Sequence, residues 1–461
     1  MQKSFYKCYC RTACLLSLAG LLVSSPGCER ASAEVGGDDP SVSGHTARQA
    51  EQVPDYLIDP TPNPRKVIFD ALENGKLKNT GDDLAFLQKM LELTGVSSHS
   101  QVLVYSLTSH QDAIIRRNNP RAIYFNDEVY IGYVPGGVIE YSDVDPVHGT
   151  GFYVLDQTET QHPLTLHETQ SCLLCHEGGR TNYNRGLMVR SVFVRENGFP
   201  YTSSGSFLVS HDTPMKDRWG GWYVTGEHGA IRHMGNVIAS EPVDGGRARV
   251  DREAGANITD LSPYFDPTRY LATGSDIVAL MVLEHQVEMH NLLTQGGIVI
   301  NEQLARSRSI AEQLGEPFDP AASNTLQQVL RSKAQKILQH MLYLDEVVLE
   351  NPVRGDEAFT REFRANRRED AAGRSLKDFD LDTRMFRHRC SYMIYTQAFE
   401  LMPELLKAAV LDRLAHGLKP ETKDSLFEHL DAAEREAIHT ILRETHAGYA
   451  AHIGEPIEQA D

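Results

Sequence analysis

Arg121-Ala122-Ile123-Tyr124-Phe125-Asn126-Asp127-Glu128-Val129-Tyr130-Ile131-Gly132-Tyr133-Val134-Pro135-Gly136-Gly137 sets the fold of the N-terminal half. Two runs of β-branched and aromatic residues flank Asn126-Asp127, a pair suited to a tight turn, so the segment predicts an antiparallel hairpin. Working outward, Val102-Leu103-Val104-Tyr105 predicts a strand before it. Pro135-Gly136-Gly137 permits a reversal into Val138-Ile139-Glu140-Tyr141, and 151–155 adds a further strand. Together these form a small antiparallel meander. Upstream, Leu84, Phe86, Leu87, Met90, Leu91 and Leu93 recur at a helical period over 82–93.

Just past the meander stands Ser171-Cys172-Leu173-Leu174-Cys175-His176-Glu177-Gly178-Gly179. Cys-x-x-Cys-His is the attachment sequence of a c-type haem: two thiols add to the porphyrin vinyl groups and the following histidine binds iron. Two intervening residues make about one turn of chain, so both sulfurs reach the same porphyrin edge. Two other readings stay open here. One is a Cys-x-x-Cys disulfide; the other is half of a zinc site, whose remaining ligands would have to be mainly histidines, because Cys390 is the only other cysteine after Cys28.

The amino terminus bears on compartment. Lys3, Lys7 and Arg11 precede the apolar run 13–23, which is too short to span a bilayer and has the layout of a secretory leader, here 1–27. Ser24-Ser25-Pro26-Gly27-Cys28 makes Cys28 a candidate for lipidation, with Ser25 where an aliphatic residue is usual. Export and covalent haem agree, because haem c is attached outside the cytoplasmic membrane. The expected location is periplasmic or at the cell surface, tethered to the membrane through Cys28. Residues 28–66 are polar and turn-rich, a flexible linker by composition.

With 45 basic and 63 acidic side chains the formal charge is −18, and loss of the leader removes three basic residues and no acid. This excess disfavours nucleic acid and favours a redox partner with a basic docking face.

After the motif, 187–195 predicts a strand. Helical periods dominate beyond it: 276–295, capped by Ser275 and terminated by Gly296-Gly297; 324–349; 392–399; 403–416; and 432–445. The charge-rich stretch 354–389 has a solvated surface as its default meaning.

If haem is bound, His176 is its proximal ligand. Met188, Met215, His228, His233 and Met234 are candidates for the sixth position, with Met234 ranked first and His233 next. Arg180, Arg185 and Arg190 are candidate partners of the haem propionates. An enzyme with an open iron face would draw on His211, Arg218, His228 or His233. Glu284, His285, Glu288 and His290 on one helix raise the separate possibility of a metal site, which needs ligands from elsewhere.

The chain resembles an exported, largely uncharacterised bacterial family of cytochrome c domain-containing proteins with a single Cys-x-x-Cys-His motif. The likeness rests on Arg121 through Asp127, Cys172 through His176, Arg218-Trp219-Gly220-Gly221-Trp222-Tyr223-Val224-Thr225-Gly226, Arg232-His233-Met234-Gly235-Asn236 and Cys390-Ser391-Tyr392-Met393-Ile394-Tyr395, over roughly 101–416. It implies covalent haem at Cys172 and Cys175 and iron ligation by His176, without a particular reaction. Small soluble cytochromes c are compact and helical, whereas strands flank the motif here.

The expectation is therefore an α+β protein, with antiparallel strands flanking a c-type haem site and a mainly α-helical C-terminal half. Its parts are a leader (1–27), a linker (28–66), an α+β region (67–160), a haem-bearing region (161–250) and a helical region (251–461). The expected function is electron transfer by one covalent haem c. A peroxidase-like haem oxidoreductase and a haem sensor or structural module are the alternatives.

Overall fold

A computed structural model describes residues 64–157, 164–241, 246–455 and 457. The expected leader, Cys28 and most of the linker lie outside the described residues.

Asn126 closes the hairpin as its side chain predicts: Oδ1 accepts from the backbone N–H of Glu128 (3.0 Å) and Val129 (2.9 Å). Ahead of it lie α1 (Pro64–Glu73) and α2 (Asp83–Thr94), the latter capped by Asp82 and stopped by Gly95 in the left-handed conformation. Six strands follow: β1 (Val102–Val104), β2 (Arg121–Phe125), β3 (Val129–Tyr133), β4 (Ile139–Asp145), β5 (Gly149–Leu155) and β6 (Leu166–Glu168). They pair antiparallel in sequence order, so the meander extends one strand beyond the sequence expectation.

Period-two alternation covers both faces of this sheet. Leu103, Ala122, Tyr124, Ile131 and Tyr141 pack with Phe86, Leu87, Met90 and Leu91 of α2. Val102, Val104, Phe125 and Tyr130 enter the larger core built around the C-terminal helices. The Cys-x-x-Cys-His motif occupies a short turn and α3 (Leu173–His176) directly after β6. Of 187–195, only β7 (Arg190–Val192) is a strand, and it pairs with β8 (Ser206–Leu208).

The C-terminal half is helical: α4 (Ile277–Leu314), α5 (Asn324–Met341), α6 (Glu357–Phe363), α7 (Gln397–Glu400), α8 (Glu404–Gly417), α9 (Ala432–Thr445) and α10 (Ala447–His452). Three details depart from the sequence reading. Gly296-Gly297 does not end α4, which runs on for 38 residues in all. A Cβ on Gly296 would sit 3.1 Å from Leu406, and one on Gly297 would sit 3.3 Å from Pro403, so the glycines admit α8 to the helix surface. Second, the α4 cap is Asp276, whose side chain accepts from Ala279 N (2.7 Å) and Asp356 N (2.6 Å). Ser275 instead ties β1 to the following chain, accepting from Leu103 N and donating to Tyr223 O. Third, α5 stops at Met341, before Tyr343 and Asp345 with φ of 54° and 63°.

Nor is 354–389 merely a solvated face. Phe359, Leu376, Met385 and Phe386 are buried, and so is Lys377, whose Nζ donates to Asp127 in the hairpin turn (2.7 Å) and to Asn366 (2.7 Å). The charged stretch is thereby fastened to the turn of the meander.

Asp276→Ala removes a cap and leaves a second, half-buried N–H at Asp356 without its acceptor, so the expected loss is about 1–3 kcal/mol. Urea denaturation checks this, with Asp276→Asn, which keeps an acceptor, losing less.

Candidate functional site

The motif is delivered by the sheet. Thr169 N donates to Phe152 O of β5 (2.9 Å), and the chain then winds through Cys172 into α3. Cys172 is half-buried and Cys175 exposed, while Leu174 between them is 85% exposed. Tyr183, nearby in sequence, is 76% exposed.

His176 is oriented from two sides. Its Nδ1–H donates to Gly186 O (2.8 Å), which leaves Nε2 as the nitrogen with a free lone pair, and its ring lies 4.6 Å from that of Phe152. The loop between is wound tightly. Thr181 N and Tyr183 N both donate to Gly178 O, Asn182 and Tyr183 take left-handed φ values of 52° and 58°, and Gly186 N donates back to His176 O. Asn291 of α4 holds the far end, accepting from Leu187 N (3.0 Å) and donating to Leu187 O (2.9 Å). A Cβ on Gly186 would stand 2.6 Å from Asn291 Oδ1, so glycine is required for this approach. A buried helix thus sets the carbonyl that sets the imidazole.

Burial lowers the His176 pKa against the opposing pull of the Gly186 bond, so the imidazole is neutral at pH 7. Beside it Arg121 and Glu140 form an ion pair, and Gln111 donates to Glu140 (2.9 Å). Burial alone would raise the Glu140 carboxyl; Arg121 and Gln111 more than offset this and hold it below its ordinary value. Burial, then the charge on Glu140, pushes the Cys172 thiol up to about 11.

The three motif-proximal arginines are not equivalent. Arg185 is taken by Glu168 (2.7 Å) and Glu177 (3.7 Å). Arg180 donates to Ser206 Oγ (3.3 Å). Arg190 carries a buried Nε without a hydrogen-bond partner, and its pKa is lowered by burial and then by neighbouring Arg180. Among the described residues no carboxylate pairs with Arg180 or Arg190.

The remaining sequence candidates fall into separate groups, none in hydrogen-bond or ring contact with His176 among the described residues. Met234 is 0% exposed, packed with Phe193, Tyr201, Ala239 and Ala248, and its sulfur faces Ser191 Oγ at 3.9 Å. Met188 is half-buried and Met215 buried. His228 and His233 bond each other (3.2 Å): His228 Nδ1–H donates to Ile231 O, and its Nε2 accepts from Asn257 N and His233, while His233 Nδ1 accepts from Gly235 N. Burial, aided by His228, pushes His233 down to about 3. Arg218 is buried against Glu284, which also accepts from Trp219 Nε1 (3.1 Å). His211 meets His285 and His340 instead.

The four-residue group on α4 is not one site. His285 and His290 lie five residues apart, about 140° around the helix. His290 turns to Tyr130 Oη (2.8 Å), and Glu284 is committed to Arg218 and Trp219.

No family model, curated protein or solved structure matches the chain significantly.

Gly186, Asn291 and the Arg121–Glu140 pair were not singled out as site residues by sequence reasoning. Nothing local marks Asn291, a polar residue within a helix.

In protein carrying no haem, native-state alkylation is expected to label Cys175 first and Cys172 more slowly. Cys390, fully buried and pushed up to about 12 by that burial, is labelled only on unfolding. Peptide mass mapping over time checks the order.

Proposed function

We propose that the protein is an exported carrier of one covalent haem c, attached through Cys172 and Cys175 with His176 as proximal iron ligand, and that it transfers electrons. The observation that carries this reading is the Nδ1–H bond from His176 to Gly186 O. It fixes the tautomer whose Nε2 can bind iron, within a motif that leaves Cys175 and Leu174 exposed. Arg190, with its unpartnered buried Nε, and Arg180, without a carboxylate, fit the haem propionates; Arg185 does not, being engaged by Glu168 and Glu177. A haem bound here supplies a one-electron couple. The chain's own residues orient the ligating imidazole through Gly186 and Asn291, and place the Arg121–Glu140 pair beside it. The negative net charge supports a redox partner with a basic face.

One observation favours a second reading, a haem oxidoreductase with an open iron face. Met234, His228 and His233 are each committed to protein partners, so these candidates do not present a free sixth ligand.

Expression with competent haem c maturation machinery tests both readings. The expected product has the mass of one macrocycle added at Cys172 and Cys175 and a reversible low-spin couple. A high-spin ferric spectrum with cyanide binding moves the assignment to the oxidoreductase. Colourless protein with both thiols free overturns the haem reading. In the carrier, Asn291→Ala is expected to shift the reduction potential by loosening the Gly186 support of His176, while leaving the haem attached.

A further inference from the structure

Deep in the C-terminal half, away from any contact with the Cys-x-x-Cys-His motif, three histidines from three segments converge. His285 comes from α4, His340 from the last turn of α5, and His211 from the loop after β8. They are 0%, 8% and 3% exposed, and one ring nitrogen of each lies within 4.8 Å of the others. Their rings stack, with centroid separations of 4.2 Å (His211 with His340), 4.6 Å (His285 with His340) and 5.2 Å (His211 with His285).

Three contacts around the cluster set an Nε2 against an oxygen, and a fourth joins Nδ1 of His211 to Nδ1 of His285. His285 Nε2 is 2.8 Å from Ser391 Oγ, His340 Nε2 is 3.0 Å from His285 O, and His211 Nε2 is 3.4 Å from Leu344 O. Two of these partners are carbonyls, which only accept; Ser391 Oγ already accepts from Met393 N (3.2 Å) and can either accept from His285 Nε2 or donate to it. The carbonyls protonate His211 and His340 at Nε2 and leave each Nδ1 a lone pair; with Ser391 accepting, His285 matches them. Proteins hold ligating imidazoles with the outer N–H anchored on an oxygen and the inner nitrogen left to the metal; here the stacked rings, 8° apart for His285 and His340, must turn toward one another to share an ion.

The consequence is sharpest between His211 and His285, whose Nδ1 atoms stand 3.0 Å apart. Without an ion this contact is a hydrogen bond from His285 Nδ1–H to His211 Nδ1, with Ser391 donating to His285 Nε2; a bound cation takes the place of that proton and uses both lone pairs. The cluster contains no carboxylate, and its three nitrogen donors are the set that suits a borderline divalent ion of the zinc class. A cavity of about 10 Å³ touches His211 but not His285 or His340; it is lined also by Arg218, Glu284 and Glu346 and has room for about one water. Structural zinc sites are closed by four protein ligands, whereas three ligands and a water describe an open one. Packing between α4 and α5 places two of the ligands on rigid elements.

We infer that His211, His285 and His340 form a three-histidine site for a zinc-class divalent ion, with solvent completing the coordination. The site is independent of the haem reading, and the test keeps the two apart. Full-length Cys172→Ala/Cys175→Ala protein has neither haem nor a dithiol that could capture zinc. Grown with zinc and freed of loose metal by dialysis, it is expected to retain one equivalent by elemental analysis. Zinc-edge absorption fine structure is expected to show scattering from three imidazoles. His340→Gln is expected to lose the ion or to bind zinc more than about 100-fold more weakly, beyond what loss of an outer hydrogen-bond partner typically costs. His290→Gln, on the same helix but outside the cluster, is expected to retain it. Retention of stoichiometric zinc by folded His340→Gln overturns the proposal. So does parent protein that neither carries a stoichiometric ion nor gains thermal stability on titration with zinc, in which case the three rings are a stacked, metal-free core. Should His340→Gln not fold, the ligand count from the parent protein decides.

Discussion

Helix α4 is enclosed by protein along most of its first 24 residues, and every polar side chain there must find a partner inside. This constraint organises much of the molecule. Glu284 holds Arg218 and Trp219; His285 meets Ser391 and His211; Gln286 donates to Tyr130 and Asn126 O and accepts from Tyr392; Asn291 grips Leu187. Together these bonds pin four segments: the meander, the loop behind the Cys-x-x-Cys-His motif, the 211–219 stretch and the turn at 391–395. A helix that is apolar on one stripe only orients itself; one with buried amides, acids and imidazoles also fixes what surrounds it.

Legibility in the sequence followed locality. The meander was readable because alternation and turn chemistry act over a few residues, and Asn126 does in space what its side chain suggests. The Cys-x-x-Cys-His pattern is local too, and the one turn of chain expected between its cysteines is present. The glycine pair at 296–297 was misread as a stop because glycine carries two meanings, helix termination and close helix approach, and only the neighbours Leu406 and Pro403 decide between them. His340 was passed over because a histidine within an amphipathic helix looks like ordinary filling. Which of Arg180, Arg185 and Arg190 is free depends on Glu168 and Glu177 folding onto Arg185, which no spacing rule contains.

The charge-rich stretch shows the same limit. Lys377 keeps its ammonium buried because Asp127 and Asn366 receive it and the rings of Phe363 and Tyr392 stand 4.4 and 5.0 Å away. Composition reads such a segment as a coat. Here it is a clasp, joining the first hairpin to the helical half across about 250 residues of chain.

Beyond residue 300, α4 leaves this enclosure: most side chains from 301 to 314 are half-buried or exposed, with Ile310 49% and Leu314 66% exposed. One unbroken helix therefore passes from a region where amide opening requires the core to come apart to one where the backbone bonds compete directly with solvent. Its two ends should behave as different materials, the outer turns fraying and reforming while the inner ones stay shut, so disturbance at the tip is absorbed before it reaches His285 or Asn291.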